Sequence, residues 1–91
     1  MKVVWLKRAV ADLARARGHI ARDNPAAAQR VAERVKEAVA RLEAFPGIGR
    51  QGRVPGTREL VVSGTPFVIP YRVRENTVEI LRVLHGARLY P

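Results

Sequence analysis

The stretch Val78 to Pro91, VEILRVLHGARLYP, constrains this chain more than any other. It opens as the β-branched, apolar run of a strand buried on both faces, yet Arg82 stands in its middle and His85, Arg88 and Tyr90 crowd its end. Arginine is rarely buried without a partner. Arg82 is therefore expected to snorkel to the sheet edge, to pair with Glu59 or Glu79, or to face a cleft. Arg58, Arg72, His85, Arg88 and Tyr90 are expected to gather near it at one end of the same sheet.

With 91 residues the chain reads as a single domain, residues 1–91. A chain of that length buries roughly 60 to 65% of the surface its unfolded form exposes, enough for one modest core. No apolar run approaches the roughly 20 residues of a membrane span, and the apolar part of MKVVWLKRAVADL is too short for a signal peptide, so a cytoplasmic protein with no membrane contact is expected. The absence of cysteine excludes disulfides, thiolate metal sites and thiol nucleophiles. Two isolated histidines, His19 and His85, do not make a zinc site, and no cofactor or metal is expected.

Seventeen Lys and Arg against eight Asp and Glu give a formal charge of +9, which favours a polyanionic partner such as nucleic acid, the ribosome or an acidic protein segment. The excess is spread over both halves of the chain, so there is no basic tail.

Lys2 to Leu6 reads as a short strand. From Ala9 the period changes, with Val10, Leu13 and Ile20 on one helical face and Arg8, Arg15 and Arg22 along another. Asn24 before Pro25 is an N-cap followed by proline at the first helical position. The second helix repeats Ala28, Val31, Val35, Ala38, Leu42 and Phe45 as its apolar stripe, so the two helices form a hairpin. Pro46 and Gly47 end it, and PGIGRQGRVPGT is a loop exposing Arg50 and Arg53. Gly47, Gly49 and Gly52 match a dinucleotide fingerprint formally. That fingerprint works between a strand and a helix N-terminus, whereas this loop leads from a helix into a strand, so the glycines serve turns.

Arg58–Val62, Phe67–Val73 and Thr77–His85 read as three strands with short connections, an antiparallel meander. Phe67, Ile69, Tyr71 and Val73 alternate with Val68, Pro70, Arg72 and Arg74, so the former set faces the helices. Pro70 has no N–H for the ladder and marks a bulge or an edge. The expected architecture is α+β: a short N-terminal strand, a helical hairpin and a three-stranded antiparallel meander, with the helices on one face of a mainly antiparallel sheet. Trp5, Phe45, Phe67 and Tyr71 are assigned to the core and His19 to the surface.

This order of elements, with Asp23-Asn24-Pro25, Gly49-Arg50, Gly56-Thr57-Arg58-Glu59-Leu60, Tyr71-Arg72-Val73 and the block Ile80 to Arg88, resembles the RelE/ParE family of toxins from bacterial toxin–antitoxin modules over nearly the whole chain. The resemblance implies a compact toxin neutralised by a cognate antitoxin whose C-terminal segment wraps it.

RelE-like members cut mRNA in the ribosome, with cations on the scissile phosphate and a general acid and base. Where those members carry an arginine this chain has Val68, and where they carry a lysine or polar group it has the Glu59–Val61 region. Arg88 aligns with their phosphate-contacting arginine, and Tyr90 stands near an aromatic or histidine of their tail. Glu59, His85, Arg88 and Tyr90 are the catalytic candidates on that reading. ParE-like members resemble the chain in the Gly-Thr-Arg-Glu region and the Arg-Val-Leu-His block, and they poison DNA gyrase by binding. The site residues favour gyrase inhibition over ribonuclease, with Arg58, Arg72, Arg82, His85 and Arg88 as target-binding residues. A third class, a non-catalytic nucleic-acid-binding module, lacks the exposed aromatics that stacking needs.

Overall fold

The structure, a computed structural model, describes residues 1–86. Strand β1 (Lys2–Trp5) leads into helix α1 (Lys7–Ala21) and helix α2 (Pro25–Ala40), which ends in a 3-10 turn, Arg41–Glu43. Strands β2 (Arg50–Gln51), β3 (Arg58–Val61), β4 (Phe67–Arg74), β5 (Thr77–Ile80) and β6 (Leu84–His85) complete the sheet. Its order is β1-β5-β4-β3-β2, with β6 beside β4. Every pairing is antiparallel except that of β1 with β5. The expected α+β arrangement of hairpin and meander is present. The short strand β2, hidden from sequence reading by its glycine-rich surroundings, is an addition to it.

The α2 start is built as its sequence requires: Asn24 Oδ1 accepts from Ala27 N–H at 3.0 Å and Pro25 opens the helix. Helix α1 has no such side-chain cap, and the Leu6 carbonyl accepts from Ala9 and Val10 instead. Asn24→Ala is expected to lower stability by about 1 kcal/mol, read as a shifted urea midpoint at unchanged slope.

Val35, Val39 and Leu42 of the helical layer pack on Leu60, Phe67, Ile69, Tyr71, Val78 and Ile80 of the sheet. Three residues expected on apolar faces depart from this, the first being Val10 of α1, which is 53% exposed. Phe45 is 61% exposed, because the tighter 3-10 turn after Ala40 rotates the chain out of the α-helical phase and buries Leu42 but not the residue three further on. Val73 lies on the helical face opposite Val78, but it is 42% exposed at an end the helices do not cover.

The third meander strand is not continuous. Tyr71 to Arg74 pair with Ile80 to Thr77, and Leu81 N–H donates to the Pro70 carbonyl at 3.0 Å. Phe67 and Val68 pair with His85 and Leu84, one residue out of step with that register. A β-bulge therefore occupies Leu81–Val83, opposite Pro70. Pro70 accepts from Leu81 but has no N–H to return, so the ladder is weakest at that point. In an unbroken strand Arg82 would oppose Ile69 beneath the helices. The bulge places Val83 in the core instead, 4% exposed, and turns Arg82 toward α1.

Candidate functional site

Arg82 finds its partner on α1. Its Nε donates to Asp12 Oδ2 at 2.6 Å and its Nη2 to Asp12 Oδ1 at 3.1 Å, while the Val83 N–H donates to Oδ2 at 3.0 Å. The expected carboxylates, Glu59 and Glu79, are occupied elsewhere. Asp12 sits one turn after Ala9 on the buried side of α1 and is 7% exposed. A carboxylate on an apolar helical stripe was the signal available for it, and the sequence reading passed over it. Burial pushes the Asp12 carboxyl up, but hydrogen bonds from Arg82 and Val83 and the charges of Arg82 and Arg15 outweigh this and hold it below the usual carboxylate range.

A second cluster lies where β3, β2 and the end of β4 meet. The Tyr71 hydroxyl, fully buried, donates to the Pro46 carbonyl at 2.7 Å and accepts from Gly49 N–H at 2.9 Å, which pins the loop after α2 to the sheet. A Cβ on Gly49 would lie 2.6 Å from the tyrosine ring, so glycine is required there for close approach. Arg58 donates to the Gly49 carbonyl at 2.9 Å. Glu59, 2% exposed, accepts from Arg50 Nε and Nη2 at 3.2 and 3.0 Å and from Arg53 N–H at 3.2 Å. On the uncovered face, Arg72 Nε donates to Glu79 at 2.5 Å, with Arg74 Nε 3.7 Å from the same oxygen. The hydrogen bond from Arg72, opposed by partial burial and aided by the charges of Arg72 and Arg74, lowers the Glu79 pKa.

Both depressed carboxylates favour the folded state while they are ionised. That contribution is complete above their unfolded values, about 3.8 and 4.5, and is lost as pH falls through the lower folded values. Unfolding free energy from urea titrations is therefore expected to hold from pH 7 to 5 and to fall below about pH 4, with a shallower fall in Asp12→Asn.

His85 stands apart from the second cluster. It opposes Phe67 at the far end of β4, with the rings T-shaped at 5.9 Å between centroids. Arg58 opposes Tyr71, four residues along that strand, or about 13 Å. The expected gathering at one end of the sheet is therefore divided between two ends. Arg88 and Tyr90 lie outside the described residues.

The faces are divided as well. Directly opposed residues share a face, so His85 and Phe67 are on the helical side, whereas Glu59, opposite Pro70, is on the uncovered side. Glu59 and His85 cannot attend one phosphodiester as base and acid. Val61 and Val68 oppose each other on the face away from the helices, and Val68 is buried there. Among the described residues no cluster of three or more His, Asp or Glu could hold a metal ion, and no helix is long and apolar enough to cross a membrane.

Between α2 and the β3–β4 turn runs a groove of about 690 Å³ lined by Arg30, Arg34, Arg41, Glu33 and Glu37 among others. Arg34 closes its floor by donating to the Ser63 carbonyl at 3.0 Å.

Residues 3–90 match the model of the ParE toxin of type II toxin–antitoxin systems, parDE. Toxin RelE2 of Caulobacter vibrioides is 46% identical over 88 residues, covering 97% of this chain and 98% of that protein. Y4kP of Sinorhizobium fredii is 41% identical over 90 residues, covering 99% and 93%. A solved structure of the chromosomal ParDE TA system from P. aeruginosa superposes with a TM-score of 0.87 at 33% identity, covering 93% of this chain and 95% of that one. By sequence and by fold alike, the chain belongs to the ParE family of toxins of type II toxin–antitoxin systems.

Proposed function

We propose that this toxin arrests growth in the cytoplasm by binding DNA gyrase, without chemistry of its own, and that a cognate antitoxin neutralises it. The observation that carries the reading lies on the sheet face away from the helices: Val61 stands opposite the buried Val68 where RelE-like members carry catalytic cations. The separation of Glu59 and His85 onto opposite faces supports it further, because general acid–base cleavage needs both groups within reach of one substrate. The target-binding candidates are Arg58 and Arg72 toward one end of the sheet and His85 toward the other, with Arg88 assigned from the sequence alone. The net charge of +9 and the arginines of the α2 groove suit an acidic antitoxin segment.

The name RelE2 borne by one relative makes ribosome-dependent mRNA cleavage the competing reading. Purified toxin titrated into a gyrase supercoiling assay on relaxed plasmid separates the two. Loss of supercoiling, restored by the antitoxin, is the expected result. Unimpaired supercoiling together with mRNA cuts in a translating extract would overturn the proposal.

A further inference from the structure

We infer that Asp12 is the positioning residue of the last strand: by accepting from Arg82 and from the Val83 N–H it fixes the bulge that decides which face of the sheet His85 occupies. The functional half of this inference rests on the reading of His85 as part of the target surface.

Two registers are open to the chain after Ile80. Continued without a bulge, the β5 register would set Arg82 against Ile69 in the core, Val83 against Val68 and His85 against Pro66, on the uncovered side. The observed register instead opposes His85 with Phe67 and Leu84 with Val68. Leaving the ladder strands backbone groups at the bulge and requires a seat for a guanidinium beside a core. A single carboxylate meets both needs: two Asp12 oxygens receive Arg82 in a fork and Oδ2 also takes the orphaned Val83 N–H. Without an acceptor at position 12, the bulged register loses all three hydrogen bonds. With an apolar residue at position 82, the unbroken register loses its main penalty, because the side chain opposing Ile69 is then one a core accepts. The partition between the two is thus written into residues 12 and 82, some 70 positions apart in the chain. Pro70, which offers no N–H to the third strand, makes that partition sensitive, since the ladder itself favours neither register strongly there.

The test uses full-length toxin in three variants, Asp12→Leu, Asp12→Asn and Arg82→Val, and reads the nuclear Overhauser contact between the His85 and Phe67 rings, expected in the parent from their 5.9 Å centroid separation. Asp12→Asn keeps an acceptor oxygen and is expected to keep the contact. Arg82→Val leaves the 7% exposed Asp12 carboxylate without its cation and is read where the variant remains folded; it should then lose the contact, with His85 transferred to the uncovered face. Folded Asp12→Leu should lose it too, and an unfolded Asp12→Leu leaves Arg82→Val to decide. A contact retained in folded Arg82→Val would overturn the inference and reduce Asp12 to a stabilising ion pair. Gyrase inhibition is read in parallel and is expected to fall about tenfold in Arg82→Val and to be kept in Asp12→Asn. The ring contact is blind to the target, so a wrong target leaves the register result standing, whereas a lost contact with full gyrase inhibition removes His85 from the target surface.

Discussion

Gly49→Ala is expected to lower folding stability by about 3–5 kcal/mol, an effect set by a buried tyrosine and not by the loop it sits in. The added Cβ would lie 2.6 Å from both Cε1 and the hydroxyl of Tyr71 and 3.0 Å from the Glu59 carbonyl. Tyr71 is fully buried and has no room to withdraw. Overpacking of this kind costs about 1–3 kcal/mol, and displacement of the hydroxyl also breaks its bonds to Pro46 and Gly49. Each buried group left unpaired adds about 1–3 kcal/mol. Tyr71→Phe isolates the second contribution and is expected to cost about 2 kcal/mol. The two changes share the same hydrogen bonds, so the double variant should be less destabilised than the sum of the singles; urea unfolding of all four proteins measures the coupling. Simple addition would mean that the glycine and the tyrosine do not act as one clamp.

Asp12→Ala is the second large effect, at about 3 kcal/mol. Breaking a buried ion pair by removing one partner costs about 3–5 kcal/mol, and the lower end applies because the Arg82 side chain is 30% exposed and recovers part of its hydration. The Val83 N–H is left without its acceptor as well. For a domain of this size about 3 kcal/mol corresponds to a fall in Tm of roughly 12–24 °C, readily seen by calorimetry. A fall of only a few degrees would show that the fork contributes no more than an exposed surface pair. Since net stability of a small domain is about 5–15 kcal/mol, this change alone consumes a large part of it, so growth assays of Asp12 and Arg82 variants need folding measured beside them.

Local rules carried most of the fold. The change of period at Ala9, the Asn24-Pro25 start and the alternation from Phe67 each act over a few residues, and each is realised in the structure. What escaped was non-local. The parallel docking of β1 against β5 has no signature in either strand. The β2 strand consists of two residues whose pairing depends on Glu59 holding Arg50 across the ladder. Pro70 marked the weak point of the ladder correctly, but the bulge it permits lies on the neighbouring strand. The puzzle of Arg82 in an apolar run was legible, and its solution was not, because Asp12 is separated from it by two helices and most of the sheet in sequence. The same limit held at the candidate site. Residue types suggested one cluster, while strand register, which sets faces and ends, divided it.

A primer-extension map of mRNA 5′ ends, taken during growth arrest in cells that express the toxin and lack the antitoxin, tests most directly whether this surface binds without chemistry. Growth arrest with mRNA ends indistinguishable from those of uninduced cells is the result the proposal expects from Val61 opposite Val68 and the divided Glu59 and His85. Codon-positioned cuts that appear with arrest would contradict it and make the toxin a ribonuclease.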